Sequence, residues 1–169
     1  MDRSDEESAG WVLDLRGRID ELVNEYRSSL HDCLDGLTED EARLRLVPSK
    51  TTLLGLVKHV DYVEGVWFDQ AATGRTSIEA GIASTPDQSF TITASDTIAS
   101  VQASYRRRCE ASRRTMADLG LDMRVSGRGD RPVWALQIQV LRELAQHAGH
   151  ADILREQILA RRNQQRPDR

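Results

Sequence analysis

The chain has 169 residues, which suits one domain with a sizeable core, and its net charge of −4 argues against a general nucleic-acid binder. Apolar residues make up 39% and charged residues 30%, a balance typical of a soluble domain rather than a disordered one. No apolar run approaches the roughly 20 residues that span a bilayer, and the acidic opening MDRSDEESAG predicts no signal peptide. The distant Cys33 and Cys109 favour buried thiols in a reducing cytoplasm over a disulfide framework.

Four segments have the apolar spacing of three and four residues that predicts amphipathic helices. They run from about Gly10 to Leu37, from Thr51 to Ala72, from Asp96 to Leu119 and from Pro132 to Ala160. After the first, Thr38 and Glu41 form a capping-box pattern that predicts a short helical turn. We expect Ser49 or a neighbouring threonine to cap the second helix and Ser95 to cap the third.

The connection between the second and third helices is long for a bundle: 21 residues from Gly74 to Ala94, with one weak strand candidate at Ser89 to Ala94. In extended form it could reach on the order of 70 Å, about twice the length of a 24-residue helix, which is about 36 Å. The pattern therefore predicts an all-α four-helix bundle in up-down-down-up order with a long crossover, which could also form a lid. Residues 1–169 form one predicted domain, with a core from about 10 to 160 and a polar tail at 161–169.

The fourth predicted helix carries titratable residues on its inward apolar stripe. The stripe consists of Leu136, Val140, Glu143, His147, His150, Leu154 and Gln157. Residues four apart lie one above the other on a helix, so Glu143 and His147 can point at one centre, with His150 one turn further on. The second helix has a matching anomaly, because His59 stands where a leucine would be expected.

These titratable residues predict a metal centre. A buried carboxylate must pair, gain a proton or bind a metal. Imidazole nitrogen and carboxylate oxygen are good ligands for zinc, nickel, iron or manganese, and bundle interiors are known places for such sites. We predict a divalent ion, zinc first, with open coordination positions of the catalytic kind. The alternative is a buried hydrogen-bonded network of glutamate and histidine without metal.

The sequence from about residue 10 to 160 resembles the DinB-like superfamily of metal-binding four-helix bundles. Two segments carry the resemblance. TTLLGLVKHVDYVEGVWF is similar to its second-helix motif, where an apolar run leads into a metal-binding histidine, and LRELAQHAGHADILREQI is similar to its last-helix motif. HAGHADILRE resembles the actinobacterial branch that includes mycothiol-dependent transferases and mycothiol-dependent maleylpyruvate isomerase. Many members have His-x-x-x-His on the last helix, where this chain has Glu143 and His147. A glutamate there is also seen in the maleylpyruvate isomerase branch.

The resemblance implies a metal-dependent thiol S-transferase with a mycothiol-like thiol and a small electrophile as substrates, and it suggests a homodimer. We expect His59, Glu143 and His147 as ligands with His150 as their outer partner; alternatively, His150 replaces Glu143 as the third ligand. Two other functions remain open. One is a metal-dependent hydrolase with His150 as general base, and the other is a non-enzymatic, stress-related metal- or ligand-binding bundle.

Basic residues give weaker signals. Arg124, Arg128 and Arg131 precede the fourth helix and are candidates to hold an anionic group of a substrate, with a solvated loop as the alternative for each. We expect His31 and the cluster from Arg106 to Arg108 to be solvated.

Overall fold

The computed structural model describes residues 14–164, and most of this part of the chain is helical, as predicted. The helices are α1 (Leu15–Asp32), α2 (Glu39–Ala42), α3 (Leu53–Glu64), a π-helix (Gly65–Gln70), α4 (Ala71–Thr73), α5 (Pro86–Ser89), α6 (Ile98–Ala117) and α7 (Val133–Gln164). Strands β1 (Arg124–Val125) and β2 (Arg131–Pro132) pair antiparallel before α7. The predicted start of the first helix at Gly10, and the tail beyond Gln164, lie outside the described residues.

The four long helices pack around a shared apolar core. α1 contacts α6 and α7, and α3 contacts α6 and α7. The fully buried side chains include Leu30 of α1, Leu56 of α3, Tyr105 of α6 and Leu144 of α7. Burial of a leucine contributes about 2 kcal/mol, so these contacts hold the helices together.

Within residues 14–164, no helix has both the length and the hydropathy of a membrane span.

The helix starts differ from the predicted ones by a few residues, because the capping hydroxyls lie slightly further along the chain. Thr52, a threonine near Ser49, caps α3 and accepts a hydrogen bond from the Gly55 N–H at 3.0 Å. The prediction of Ser95 as a cap is wrong, because Thr97 caps α6. The predicted capping box of Thr38 with Glu41 is confirmed.

Helix ends and connections also depart from the prediction. The first helix ends at Asp32 rather than Leu37, because a turn leads to Gly36 with φ +72°. Pro132 does not open α7, because it pairs with Arg124 in the hairpin that the sequence did not predict. The weak strand candidate at Ser89 to Ala94 does not form a strand, because Ser89 ends α5 and the chain between α5 and α6 has no strand.

The predicted second helix is interrupted by the π-helix Gly65–Gln70 before it ends at Gly74, which has φ +79°. A π-helix has a wider turn, so it rotates the following side chains relative to an α-helix. Gly65 is required here, since a Cβ would lie 2.5 Å from Ile82 of the long connection. Trp67, within this insert, is half-buried near the hairpin arginines.

Two surface predictions are wrong in part. Arg106 and Arg107 are exposed as expected, but Arg108 is half-buried and donates to Asp61 at 2.8 Å. Its partner lies on α3, which the sequence of α6 alone does not reveal. His31 is also half-buried, because α6 packs beside it, and its Nδ1 lies 2.6 Å from Asp32.

A buried ion pair joins α1 to the end of α3. Arg27 donates from Nε and Nη2 to the two carboxylate oxygens of fully buried Glu64, each at 2.8 Å.

The two cysteines are both buried. The thiol of Cys109 lies 3.6 Å from the Glu64 carboxylate, and burial raises the pKa of this thiol well above its ordinary value. Burial also raises the pKa of Cys33 to about 12. Both cysteines are therefore buried, unreactive thiols, as predicted.

We expect Arg27→Met to lower the free energy of unfolding by about 3–5 kcal/mol, because it leaves the Glu64 carboxylate buried without a partner. The double change with Glu64→Leu should recover most of that loss, since it removes both charges. Urea denaturation measures both values. Arg124→Met is the control: it breaks an exposed pair with Asp130, so it should change stability little. An Arg27→Met protein as stable as this control would contradict the assignment.

Candidate metal centre

His59 is buried on α3, where the apolar face of that helix meets α7. Its side chain is 6% exposed. The ring stacks on Phe90, with centroids 3.9 Å apart and planes inclined by 13°. It also meets the His147 ring edge-on, with centroids 4.7 Å apart. The two imidazoles predicted to share a centre therefore do lie together.

Glu143 and His147 face the same place from α7, one helical turn apart. Glu143 Oε1 accepts hydrogen bonds from Gln139 Nε2 at 2.9 Å and from Arg142 Nη2 at 2.6 Å. Its other oxygen, Oε2, lies 3.6 Å from His147 Nε2. The neighbouring residues thus hold the carboxylate by one oxygen and leave the second facing the histidines.

One ligand atom from each of His59, Glu143 and His147 lies within 4.8 Å of the other two. These donors fit a divalent ion, because two imidazoles and one carboxylate form a common zinc ligand set. An unsatisfied atom supports the fit: His147 Nδ1 is buried and has no hydrogen-bond partner. Buried polar nitrogens rarely lack a partner, so this nitrogen has unused capacity for a further group.

Burial sets the protonation of the two imidazoles. Burial, helped by the neighbouring His147, lowers the pKa of His59 to about 4. The pKa of His147 is also lowered, chiefly by burial, although Glu143 opposes the shift. Both rings are therefore neutral at pH 7, the form in which an imidazole nitrogen binds a metal.

His150 lies beside this group but is not one of its three converging residues. Its ring centroid is 5.7 Å from that of His147, and its side chain is exposed. The ligand atoms that converge include Glu143 rather than His150. This geometry favours the ligand set that retains the glutamate and leaves His150 next to it.

An apolar pocket of about 340 Å³ opens next to His147. It is lined by Val47, Ser49, Thr51, Leu56, Phe90, His147, His150, Ile153 and Leu154. None of these residues is an aspartate, glutamate, lysine or arginine. Because His147 is part of the wall, a molecule in the pocket would lie next to the candidate metal centre.

The three arginines before α7 differ in their surroundings. Arg124 is held by Asp130, to which it donates two hydrogen bonds at 2.7 Å. The guanidinium carbons of Arg128 and Arg131 lie 5.9 and 5.7 Å from the centroid of the Trp67 ring. Of the three arginines before α7, Arg128 and Arg131 therefore form a cationic surface over the Trp67 ring.

Arg128 is also linked to the candidate metal centre through Tyr62. Burial raises the pKa of Tyr62, and the charge of Arg128 opposes this shift. The Tyr62 ring in turn stacks at 5.9 Å from His59. The charge of Arg128 therefore acts on a ring that stacks on His59, a residue of the candidate metal centre.

The sequence analysis missed Ser89, which contacts a predicted ligand. The Oγ of this buried serine lies 2.7 Å from His59 Nδ1. Thr85 followed by Pro86 is a helix-start pattern, and α5 does begin there with Thr85 as its cap. The pattern signals the helix, but its approach to His59 is a tertiary contact that no local spacing reveals.

The fold and the site define a helical protein with a candidate three-ligand metal centre between two helices. The family model described as Mycothiol-S-transferase matches residues 18–160. The chain belongs to this family, a branch of the DinB-like superfamily, so the resemblance seen in the sequence is confirmed. No curated protein matches the chain significantly.

We expect the metal-free protein to lose stability as the pH falls from 6.5 to about 4. The unfolded chain binds a proton at the ordinary histidine pKa of 6.5, whereas folded His59 binds it only near pH 4. The contribution of His59 to stability is fully present above pH 6.5 and falls by about 3 kcal/mol across this window. Urea denaturation in chelator at a series of pH values measures the effect.

His59→Gln provides the comparison for this pH series, because glutamine does not titrate. The difference in unfolding free energy between wild type and this variant should shrink as the pH falls from 6.5 to 4. His31→Gln, at a half-buried histidine away from the candidate metal centre, keeps His59 and should still lose stability between pH 6.5 and 4. A wild-type minus His59→Gln difference that stays constant across this pH range would rule out the depressed pKa.

Proposed function

We propose that this chain is a metal-dependent thiol S-transferase that joins a low-molecular-weight thiol of the mycothiol type to a small apolar electrophile. The observation that carries the proposal is the convergence of His59, Glu143 and His147 beside an apolar pocket. Membership of the mycothiol S-transferase family supports the choice of thiol.

His59, Glu143 and His147 would hold a divalent cation, with zinc as our first choice and nickel, iron or manganese as alternatives. Such a cation supplies positive charge that lowers the pKa of a nearby thiol. A set of three protein ligands would leave coordination positions open, as in catalytic rather than structural zinc sites. Both protein cysteines are buried with raised pKa values, which supports a bound thiol as the nucleophile.

The pocket beside His147 is our proposed site for the electrophile. Its lining lacks acidic side chains, lysine and arginine, so it favours a neutral apolar group over a carboxylate. In the transfer step the thiol gives up its proton and its sulfur bonds to the electrophilic carbon. The leaving group departs with the electron pair of the broken bond. His150 lines the pocket, and we propose it as the acceptor of the thiol proton.

The surface formed by Arg128, Arg131 and Trp67 is our proposed site for the rest of the thiol molecule. An indole ring and two guanidinium groups offer stacking and hydrogen bonds to a polar molecule. Arg124 contributes less in this proposal, because Asp130 already occupies its donors.

The proposal includes the finer architecture. We propose one domain that forms a four-helix bundle in up-down-down-up order, with the connection between α3 and α6 as its crossover. The contacts of α1 and α3 with both α6 and α7 support a bundle. We also propose a cytoplasmic homodimer, as the family resemblance implies.

We expect protein purified without chelator to contain a divalent metal and to conjugate mycothiol to monochlorobimane. His59→Ala should lose the metal and lower the conjugation rate by more than the roughly 10–100-fold typical of changes around a metal site, because it removes a ligand. Elemental analysis measures the metal, and bimane fluorescence measures the conjugate. His31→Ala is the matched control and should keep both.

The outcomes of this experiment separate the proposed transferase from its rivals. Full metal occupancy in His59→Ala would remove this histidine from the site. A metal-loaded wild type that hydrolyses ester or amide substrates, but forms no conjugate, would favour the hydrolase. Bound metal with neither activity would favour the non-enzymatic binding protein.

We expect the two substrate sites to separate in steady-state kinetics. Ile153→Glu adds a charge to the apolar pocket, so it should raise the KM for the bimane by about 10-fold and leave the KM for the thiol unchanged. Arg128→Gln should show the opposite pattern, because it removes the cation beside Trp67.

Each of these variants has a matched control. Ile138→Glu changes an isoleucine of the same helix that is 46% exposed, compared with 56% for Ile153, and that does not line the pocket. Arg124→Gln changes the arginine already paired with Asp130. Both controls should leave the two KM values within about twofold of wild type. Equal effects of Ile153→Glu and Ile138→Glu would contradict the electrophile site.

A further inference from the structure

The hydrogen bonding around Ser89 determines which nitrogen of His59 carries the proton. Ser89 is 1% exposed, and its Oγ lies 2.7 Å from His59 Nδ1. The same hydroxyl donates to the backbone carbonyl of Pro86 at 2.5 Å. A serine hydroxyl has a single hydrogen. Since the carbonyl takes it, the serine oxygen must accept from the imidazole.

We propose that Ser89 is a positioning residue that holds His59 as the Nδ1–H tautomer and so presents the Nε2 lone pair to the metal. Histidine ligands commonly donate their second ring N–H to a carbonyl, carboxylate or water, and this hydrogen bond fixes both tautomer and orientation. A hydroxyl that is anchored to a carbonyl has the same acceptor role here. The inference rests on the proposed metal centre and adds a residue to it.

The local sequence builds this contact from a short capped helix. The side chain of Thr85 accepts a hydrogen bond from the Gln88 N–H, and Pro86 occupies the first turn of α5, where its fixed φ favours a helix. One turn of α5 brings the Ser89 hydroxyl to the Pro86 carbonyl. Phe90 then follows as the C-cap, and its ring stacks on His59.

A glycine lets this segment approach α3 closely enough to reach the histidine. A Cβ on Gly55 would lie 2.7 Å from the backbone oxygen of Phe90, a distance that no side chain tolerates. Gly55 is one helical turn before His59, so the backbone of Phe90 passes close to α3 beside the ligand. The ring is thereby held in two ways: Ser89 fixes its edge and Phe90 covers its face.

The consequence of removing the hydroxyl follows from the unsatisfied N–H. In Ser89→Ala, the Nδ1–H of the buried ring would have no acceptor, which is unfavourable. The ring can then turn or change tautomer, and either change misdirects the Nε2 lone pair. Outer hydrogen-bond partners of metal ligands typically contribute 10–100-fold to metal affinity. We expect a loss of about that size.

The test combines a tautomer measurement with a metal titration. Long-range ¹H–¹⁵N NMR of the metal-free protein should show His59 as the Nδ1–H tautomer in wild type and should show a loss of this preference in Ser89→Ala. Competition with a chromophoric chelator should show zinc affinity about 10–100-fold weaker in Ser89→Ala. Ser89→Thr keeps the hydroxyl and should restore most of both signals.

Ser112→Ala is the matched control, because Ser112 is also buried, at 3% exposed, but lies on α6 away from the ligands. It should keep wild-type zinc affinity and the wild-type His59 tautomer. If Ser89→Ala keeps both as well, the inference is wrong, although the metal centre itself would stand. If wild type binds no zinc, the metal centre fails, and the tautomer measurement alone still decides whether Ser89 controls the ring.

Discussion

The contact between α3 and α7 brings two imidazoles and a carboxylate into an apolar interior, and the site depends on how these groups are satisfied. A metal-free network of glutamate and histidine was the alternative. The 3.6 Å between His147 Nε2 and Glu143 Oε2 is longer than a normal hydrogen bond. His147 Nδ1, moreover, has no partner. These polar atoms therefore keep unused capacity for a further ligand, which supports the metal over the metal-free network.

Two groups of buried charged or titratable residues differ in how completely their polar atoms are paired. Arg27 and Glu64 match in charge and geometry, with two hydrogen bonds between them, so this pair is complete in itself. At the candidate metal centre, by contrast, Gln139 and Arg142 satisfy only one oxygen of Glu143. A self-sufficient pair has a structural role, whereas converging groups with unused donor and acceptor capacity are available to a ligand.

Local spacing predicted the helical class and the three converging residues, because a helix places residues four apart on one face and His59 interrupts an apolar stripe. It could not predict features that depend on distant segments. The π-helix accompanies the close packing of Gly65 against Ile82, and the burial of Arg108 requires Asp61 on another helix. Ser89 is the clearest case, since its segment offered only a weak strand candidate in a long connection.

The order of residues along α3 and α7 suggests why one ion could serve two different substrates. Leu56 precedes His59 on α3, and Ile153 follows His147 on α7; both line the apolar pocket. Tyr62 lies after His59 on α3, where its ring stacks on the His59 ring and is affected by the charge of Arg128. The candidate metal centre therefore has both an apolar pocket and a charged arginine in its surroundings. In the proposed reaction the electrophile would bind in the pocket and the body of the thiol on the arginine surface, so both substrates would reach the same centre.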